Sequence, residues 1–341
     1  MHFLRVAAAA VLALGVVSSC GAKAQSSSDL LSSIRARGHL VCGTGGNVPG
    51  FSYPDSQGVM RGLDADTCRS VAAAIFGDAS RVRFVATTGL TRFPALQSGE
   101  IDMLVRSTTW TLTREAALGL EFASVNFYDG QGFIVKRSLN VSSARELDGA
   151  SVCVQPGSTT EANLTDYFRA NNMRLNPVVM ENVEQIRDAF NAGRCDAFTH
   201  DTSSLAAFRF SLGAAGQDLV ILPEIISKEP IGAFIRKGDQ RFFDVVRWTH
   251  FAMLTAEELG ITSTNVATFQ NNASPEIQRF MGRSGDLGKV LGLNPDWAVQ
   301  VVRGVGNFSE MWERNMNPLG VPRGINALWN RGGIQYAPPM R

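Results

Sequence analysis

The two halves of this sequence repeat one order of predicted elements. In the first half, an apolar strand at residues 40–42 leads into a glycine-rich loop, and farther on a helix stops at Gly99 before another strand. In the second half, the strand at residues 151–154 is followed by a turn and later by a helix that stops at Gly193 before a strand. Each glycine stands where a helix ends in a left-handed conformation. The repeat predicts an α/β fold of two similar lobes, with a ligand site where the strand ends of both lobes face each other.

The size and charge of the chain agree with two ordered lobes. It has 341 residues, 45% of them hydrophobic, which is enough for two cores. Its 32 basic and 31 acidic side chains give a formal net charge of +1. We therefore expect no nucleic-acid partner, because such binding needs a basic excess.

The N-terminus has the layout of a secretory signal peptide. Arg5 precedes an apolar run at residues 6–17, which is too short to span a bilayer. Two ends of the signal compete. A bacterial lipobox would end the signal at residues 1–19 and leave Cys20 lipidated, whereas an ordinary small-residue cleavage site would remove residues 1–24. Either end predicts a mature protein in the periplasm, soluble or tethered to the membrane.

Four cysteines remain in the mature chain after either cleavage. In an oxidising compartment an even number favours two disulfides, although four cysteines permit three pairings. Cys42 lies in the first strand, and Cys68 lies in the helix expected to pack over it. Cys153 and Cys195 lie on strands expected to be neighbours. We therefore predict one bridge in each lobe. The sequence has no Cys-x-x-Cys pair, so we expect no metal site and no cofactor.

Several short motifs occur in an order and spacing that resembles a known family. They are Gly43-Thr44, Phe51-Ser52-Tyr53, Gly62-Leu63-Asp64-Ala65-Asp66, Ala95-Leu96-Gln97-Ser98-Gly99-Glu100-Ile101-Asp102 and Gly157-Ser158-Thr159-Thr160-Glu161. Together they resemble the polar amino-acid-binding proteins of ABC importers. The ending at residues 324–339 resembles the general L-amino-acid-binding subfamily. The resemblance implies a type II periplasmic-binding fold, whose ligand cleft lies between two lobes joined by a two-strand hinge. It also implies an L-amino acid ligand, an inner-membrane ABC permease as partner, and a monomer.

The boundaries of the lobes follow from two apolar stretches that look like partner strands near the crossings, residues 132–135 and 232–235. We assign residues 30–130 and 240–341 to the first lobe. Residues 131–239 form the second.

The resemblance also implies how an amino acid would be held. Arg114 matches the arginine that binds the α-carboxylate, and Asp201 matches the carboxylate that binds the α-ammonium. Ser107 and Thr109 follow a strand and could add hydrogen-bond donors. Thr159 begins a predicted helix, whose N-terminal amides favour an anion.

One further position bears on selectivity. Arg92 matches an arginine that approaches the side-chain carboxylate in acidic-amino-acid binders of the family. Those proteins carry a second arginine near the position of Gly45, and basic-amino-acid binders carry a large aromatic residue where this chain has residues 47–49. Both features are absent, so we expect a permissive pocket for small and polar side chains.

Each site residue also has a purely structural explanation. Arg114 could form an ordinary ion pair, and Asp201 and Thr159 could simply cap helices. Two other functions are also open: a dehydratase on the same scaffold, with Glu161 or His200 as its acid, and a sensory ectodomain that reports amino acids to a signalling partner. We expect a binding protein and not an enzyme.

Overall fold

The computed structural model describes residues 29–341. The predicted signal peptide and Cys20 lie outside this range. None of the helices in the described part is long and apolar enough to cross a membrane.

Strands and helices alternate through the first two thirds of the described chain. The strands are β1 (Leu40–Thr44), β2 (Tyr53–Pro54), β3 (Met60–Arg61), β4 (Val82–Ala86), β5 (Met103–Thr109), β6 (Leu120–Asp129), β7 (Gln131–Lys136), β8 (Ser151–Val154), β9 (Asn176–Val179), β10 (Ala197–Asp201), β11 (Leu219–Ile221) and β12 (Glu229–Arg236). The helices are α1 (Leu30–Arg37), α2 (Leu63–Phe76), α3 (Arg92–Ser98), α4 (Leu112–Ala116), α5 (Thr159–Ala170), α6 (Val183–Asn191), α7 (Thr202–Ser211), α8 (Gln240–Glu258), α9 (Pro275–Phe280), α10 (Leu287–Leu291), α11 (Trp297–Val305) and α12 (Phe308–Asn315).

The strands form two separate five-stranded sheets, each the centre of one lobe. The first has the order β4-β1-β5-β12-β6, and the second has the order β11-β7-β10-β8-β9. In each sheet three strands pair in parallel and the others join antiparallel. The parallel strands are linked by helices that cover the sheet faces, as in other α/β folds. The predicted α/β architecture with two lobes is therefore present.

The chain crosses between the sheets twice. The first crossing joins β6 to β7 through Gly130, and the second joins β11 to β12 through residues 222–228. β12 lies inside the range 131–239 that we assigned to the second lobe, yet it pairs with β5 and β6 of the first sheet. The sequence of an apolar strand does not show which sheet the strand joins. The strand itself was predicted, but the point at which the chain returns to the first sheet lies earlier than we assigned it.

The internal repeat is visible in matching hydrogen bonds of the two lobes. Gly99 and Gly193 have φ values of +83° and +76°, the left-handed conformation predicted at the helix ends. In the first lobe, a carboxylate oxygen of Asp102 accepts a hydrogen bond from a backbone amide of β1 at 2.8 Å. In the second lobe, Asp196 accepts one from a backbone amide of β8 at 2.7 Å. Each aspartate ties the start of the strand after the helix to the parallel strand beside it, β5 to β1 and β10 to β8.

Both predicted disulfides are formed, one in each lobe. Cys42 on β1 is bonded to Cys68 on α2, with a Cα–Cα distance of 6.2 Å. Cys153 on β8 is bonded to Cys195, which lies just before β10, with a Cα–Cα distance of 5.7 Å. The predicted pairing is confirmed.

The C-terminal third packs onto the first lobe. Trp312 of α12 and Met340 near the end of the chain belong to the same apolar cluster as Leu40 of β1 and Leu63 of α2. Helix α12 begins with a capping box in which Asn307 and Glu310 exchange hydrogen bonds. Residues beyond the second crossing therefore enlarge the core of the first lobe.

Candidate functional site

A polar cleft lies between the two sheets. The first lobe contributes the end of β5, the start of α3 and helix α4, and the second lobe contributes the end of β10 and the start of α5. All six residues predicted to contact a ligand line this cleft: Arg92, Ser107, Thr109, Arg114, Thr159 and Asp201. The cleft also contains polar residues that we did not predict: Ser52, Asp64, Arg106, Gln155, Ser158, Thr160 and His200.

The guanidinium group of Arg114 is held in place by the backbone. A guanidinium nitrogen donates a hydrogen bond to the carbonyl oxygen of Thr109 at 2.7 Å, and the group lies 5.2 Å from the ring centre of Phe93. Burial lowers the pKa of Arg114 to about 10, against the opposing effect of Glu229 and Asp201. Within residues 29–341 this arginine forms no ion pair. It is a fixed cation with donors left for an anion.

The carboxylate of Asp201 lies at the junction of β10 and α7. It stands at the N-cap position of α7, but its side chain makes no capping hydrogen bond, so the capping explanation does not account for it. Burial raises the pKa of Asp201 well above its ordinary value, and the nearby carboxylates of Asp129 and Glu229 raise it further. An ammonium group placed beside Asp201 would favour the ionised form.

Thr109 and Thr159 meet across the cleft at one carboxylate. Their hydroxyl oxygens lie 3.3 Å apart, and both hydroxyls donate hydrogen bonds to the same oxygen of Glu229, from Thr159 at 3.0 Å. The cap of α5 is Ser158, whose side chain accepts a hydrogen bond from the amide of Glu161 at 3.1 Å. Thr159 is therefore not the cap of its helix, and its hydroxyl belongs to the contact between the lobes.

Ser107 is fixed by a buried aspartate. Its backbone amide and its hydroxyl donate to one carboxylate oxygen of Asp64, at 3.0 and 3.3 Å. The φ of Ser107 is +39°, which is uncommon for a residue other than glycine. The other carboxylate oxygen of Asp64 is buried without a hydrogen-bond partner, and burial raises the pKa of this group to about 6. The hydroxyl and amide of Ser107 are therefore already used by Asp64.

Arg92 is the most buried cation of the cleft, with 3% of its surface exposed. One guanidinium nitrogen donates to the carbonyl oxygen of Gly157 in the other lobe at 3.3 Å, while Nε has no partner. The group lies 4.7 Å from the ring centre of Phe93. Burial lowers the pKa of Arg92 well below its ordinary value, and the positive charges of Arg106 and Arg114 lower it further.

The sequence reading missed a third buried arginine and its partner. Arg106 donates to the carbonyl oxygen of Thr87 at 3.0 Å and to the side-chain oxygen of Gln155 in the other lobe at 3.4 Å. One signal was available, because Arg106 directly follows Met103, Leu104 and Val105 in a strand that is otherwise apolar at its start. A charged residue in such a strand needs a buried partner or a ligand.

The arrangement has opposite charges on opposite lobes. Arg114 and Arg92 belong to the first lobe, and Asp201 belongs to the second. A small zwitterion could contact a guanidinium with its anionic end and Asp201 with its cationic end.

The chain matches the profile of the bacterial extracellular solute-binding proteins, family 3, over residues 40–260. It is 50% identical over 338 residues to the general L-amino acid-binding periplasmic protein AapJ of Rhizobium johnstonii, which covers 98% of this chain and 97% of that protein. It is 49% identical over 322 residues to the glutamate/glutamine/aspartate/asparagine-binding protein BztA of Rhodobacter capsulatus, with 92% and 94% of the chains covered.

Solved structures show the same architecture. A periplasmic binding protein from Brucella ovis with glutathione bound is 51% identical, with a TM-score of 0.89 over 92% of this chain and 99% of that chain. An ancestral arginine-binding protein bound to arginine is 27% identical, with a TM-score of 0.57 over 66% of this chain and 94% of that one. These similarities confirm the type II periplasmic-binding fold.

Proposed function

Because the chain belongs to family 3 of the bacterial extracellular solute-binding proteins, we propose that it captures L-amino acids outside the cytoplasm for uptake through an ABC transporter. The family resemblance predicted from the motifs is thereby confirmed. Curated relatives of about half identity bind amino acids, by their names, and the match extends over nearly the whole chain.

The observation that carries the proposal is the placement of Arg114 and Asp201 on opposite sides of one cleft. In this proposal Arg114 binds the α-carboxylate through its guanidinium fork, which suits a planar carboxylate. Asp201 accepts hydrogen bonds from the α-ammonium group. Amides at the start of α5, next to Thr159, add donors for the carboxylate.

The ligand would favour closure of the lobes, because only the closed arrangement places both charges on one small molecule. Contacts near the cleft already join the lobes. The hydroxyl of Thr88 in the first lobe donates to Glu181 in the second at 2.6 Å. In this proposal the ligand adds its own contacts with both lobes to these and so favours the closed state further.

The side chain of the ligand would extend past the α-carbon toward Arg92. We propose that Arg92 ranks side chains without being needed for binding as such, since Arg114 and Asp201 hold the groups common to all amino acids. The names of the relatives include both a general amino-acid binder and a binder of acidic amino acids and their amides, and the Brucella ovis structure contains glutathione. A pocket that accepts several polar side chains agrees with this range.

We propose a receptor and not an enzyme. The acid candidates for a dehydratase are both used elsewhere or held neutral. Glu161 accepts a hydrogen bond from the amide of Gly157 at 2.9 Å. His200 accepts one from the amide of Asp201 at 2.8 Å, and burial lowers the pKa of its ring to about 3, so the ring is neutral at neutral pH and a poor general acid.

The location and partners follow from the same proposal. The mature protein would act in the periplasm as a monomer, free or tethered through a lipid on Cys20, and would deliver its ligand to an inner-membrane ABC permease. A mass spectrum of the mature protein from a membrane fraction would separate the two forms, because lipidation at Cys20 and cleavage after residue 24 leave different masses.

The direct test is to identify what the protein binds. Native mass spectrometry of protein purified without added ligand should show a copurified amino acid. Calorimetric titration of ligand-free protein with glutamate, glutamine, alanine and leucine should then give saturable binding. If none of these amino acids binds while the protein is folded, the proposal is wrong.

A further inference from the structure

Three buried arginines line a cleft that, in the proposed function, holds a single α-carboxylate. Arg92, Arg106 and Arg114 all face the cleft, and Arg92 and Arg106 are 3% and 9% exposed. Throughout residues 29–341, none of the three forms an ion pair. Buried charges are normally paired. One ligand carboxylate can pair with Arg114, which leaves Arg92 and Arg106 without an ion-pair partner among residues 29–341.

Arg106 points into the cleft because β5 is distorted at this residue. β12 pairs with β5 at Thr108 and resumes at Val105, so Arg106 and Ser107 form a bulge without partners on β12. The positive φ of Ser107 is held by its two hydrogen bonds to Asp64. A bulge of this kind redirects a side chain, and bulges occur often beside binding sites. The direction of the Arg106 side chain is therefore set by the backbone of the strand.

The guanidinium of Arg106 lies where the cleft opens into a larger outer chamber. This chamber shares Arg106 and Gln155 with the inner cleft. Gly45 also borders both spaces, and a Cβ built on it would lie 3.7 Å from Cγ of Arg106.

The hydrogen-bond partners of Arg106 are neutral groups, although the charge of Asp64 lies nearby. Nε donates to the backbone carbonyl of Thr87, and one terminal nitrogen makes a long bond of 3.4 Å to the neutral amide of Gln155. The nearby Asp64 already accepts two hydrogen bonds from Ser107. A carboxylate that reached this place would be bound by a planar, fixed fork.

We infer that Arg106 binds a second carboxylate of the ligand, one carried away from the α-carbon, and so gives the site a preference for acidic ligands. The inference rests on the proposed amino-acid binding at Arg114 and Asp201. The carboxylate could belong to an acidic side chain or to a γ-linked peptide that extends into the outer chamber. In both cases Arg106 determines specificity and does not hold the α-amino and α-carboxylate groups.

The test compares L-glutamate, L-glutamine, L-alanine and γ-L-glutamylglycine by calorimetric titration of the full mature protein. Glutamate and glutamine have the same shape, so their ratio of affinities isolates the charge. Wild type should bind glutamate or the dipeptide at least about tenfold more tightly than glutamine. Arg106→Met should weaken that acidic ligand by about 30-fold or more and alanine by less than about threefold. A loss confined to glutamate assigns the side-chain carboxylate, and a loss confined to the dipeptide assigns the extended one.

A second variant keeps Arg106 and neutralises its positive charge. Gln155→Glu places a carboxylate beside Arg106 and should abolish the acidic preference in the same way, even if Arg106→Met folds poorly. Arg83→Met, at an exposed arginine on β4, is the matched control and should change nothing.

Two results would overturn the inference. In one, the wild type has no preference for an acidic ligand. In the other, Arg106→Met weakens alanine as much as glutamate, which would show a structural role. Failure of the proposed function looks different, because alanine would then not bind the wild type at all.

Discussion

The hydroxyl oxygens of Thr109 and Thr159 lie 3.3 Å apart although the two residues belong to different lobes, Thr109 to β5 and Thr159 to α5. Both hydroxyls donate to one oxygen of Glu229, which begins β12 directly after the second crossing between the lobes. The strand that links the lobes therefore also touches a residue from each side of the cleft. Opening of the lobes would separate the threonines and break at least one hydrogen bond to Glu229.

We expect Glu229→Gln to weaken both closure and stability. The carboxylate accepts four hydrogen bonds, the other two coming from Asn163 at 2.8 Å and Ser227 at 2.6 Å. A glutamine amide would turn a donor toward some of these donors. We predict a loss of about 1–3 kcal/mol in the free energy of unfolding and about tenfold in amino-acid affinity. Urea unfolding and calorimetric titration measure the two effects.

The matched control for this variant is Glu100→Gln, at an exposed glutamate of the same lobe. It should leave both quantities unchanged. If Glu229→Gln also binds and unfolds like the wild type, the hydrogen bonds at the hinge do not contribute to closure.

Arg114→Ala and Asp201→Ala should each weaken the binding of every amino acid by about 30-fold or more. Each change leaves one charge of the ligand buried without its partner, which typically costs about 2–5 kcal/mol. The melting temperature should rise with ligand in the wild type and much less in the variants, since the ligand binds the folded state. Calorimetric titration and thermal unfolding test both statements.

Arg209→Ala provides the control for these variants, because Arg209 is exposed on α7, the helix that follows Asp201. Wild-type affinity in Arg114→Ala would show that the α-carboxylate is bound elsewhere.

Arg92→Ala should differ from both, changing the order of affinities among side chains while general binding remains.

Residues at strand ends could be predicted from the sequence, whereas residues whose side-chain direction is set by a local distortion of the backbone could not. Asp201 was predicted from the family resemblance, and it lies five residues after Asp196 just as Ser107 lies five residues after Asp102. That spacing does not depend on tertiary contacts. The direction of the Arg106 side chain does depend on tertiary contacts, because it follows from the bulge opposite Gly232 and from the hydrogen bond between Ser107 and Asp64.

The hydrogen-bond partners of the hydroxyl groups also could not be predicted from the sequence. Ser107 and Thr109 were predicted to add donors for a ligand, and both line the cleft. Their hydroxyls, however, donate to Asp64 and Glu229, carboxylates that are 43 and 120 residues away in the chain. A short motif shows which polar groups lie at a site, but the acceptors to which these groups donate come from distant parts of the chain.

Each disulfide should stabilise its own lobe without controlling the cleft. The bridges close loops of 26 and 42 residues, and the chain-entropy estimate for such loops is about 3–4 kcal/mol each. We predict losses of this size in the free energy of unfolding for Cys42→Ala with Cys68→Ala and for Cys153→Ala with Cys195→Ala. Affinity should stay within about threefold, because neither bridge joins the lobes. Urea unfolding and titration check this, and a folded double variant that has lost binding would contradict it.

The buried Asp64 should make the ligand-free protein less stable as the pH rises. Burial raises its pKa to about 6 from the ordinary 3.8, despite hydrogen bonds from Ser107 and the nearby charge of Arg106. A carboxyl whose folded pKa is raised stabilises the fold below about pH 4 and loses that contribution as the pH passes about 6. Asp64→Asn stays neutral throughout. Its free energy of unfolding relative to wild type should therefore increase by up to about 3 kcal/mol between pH 4 and pH 7.5.

Urea unfolding of both proteins at pH 4, 5.5 and 7.5, after removal of bound ligand, measures this difference directly. Asp55→Asn is an informative control, because a hydrogen bond from Arg61 lowers the pKa of Asp55. Its stabilising contribution is lost only as the pH falls below the ordinary pKa of 3.8, so the relative stability of Asp55→Asn should stay nearly constant between pH 5.5 and pH 7.5. A difference between Asp64→Asn and wild type that does not vary with pH would mean that Asp64 is ionised in the folded protein over the whole range, held by Arg106 more strongly than burial opposes it.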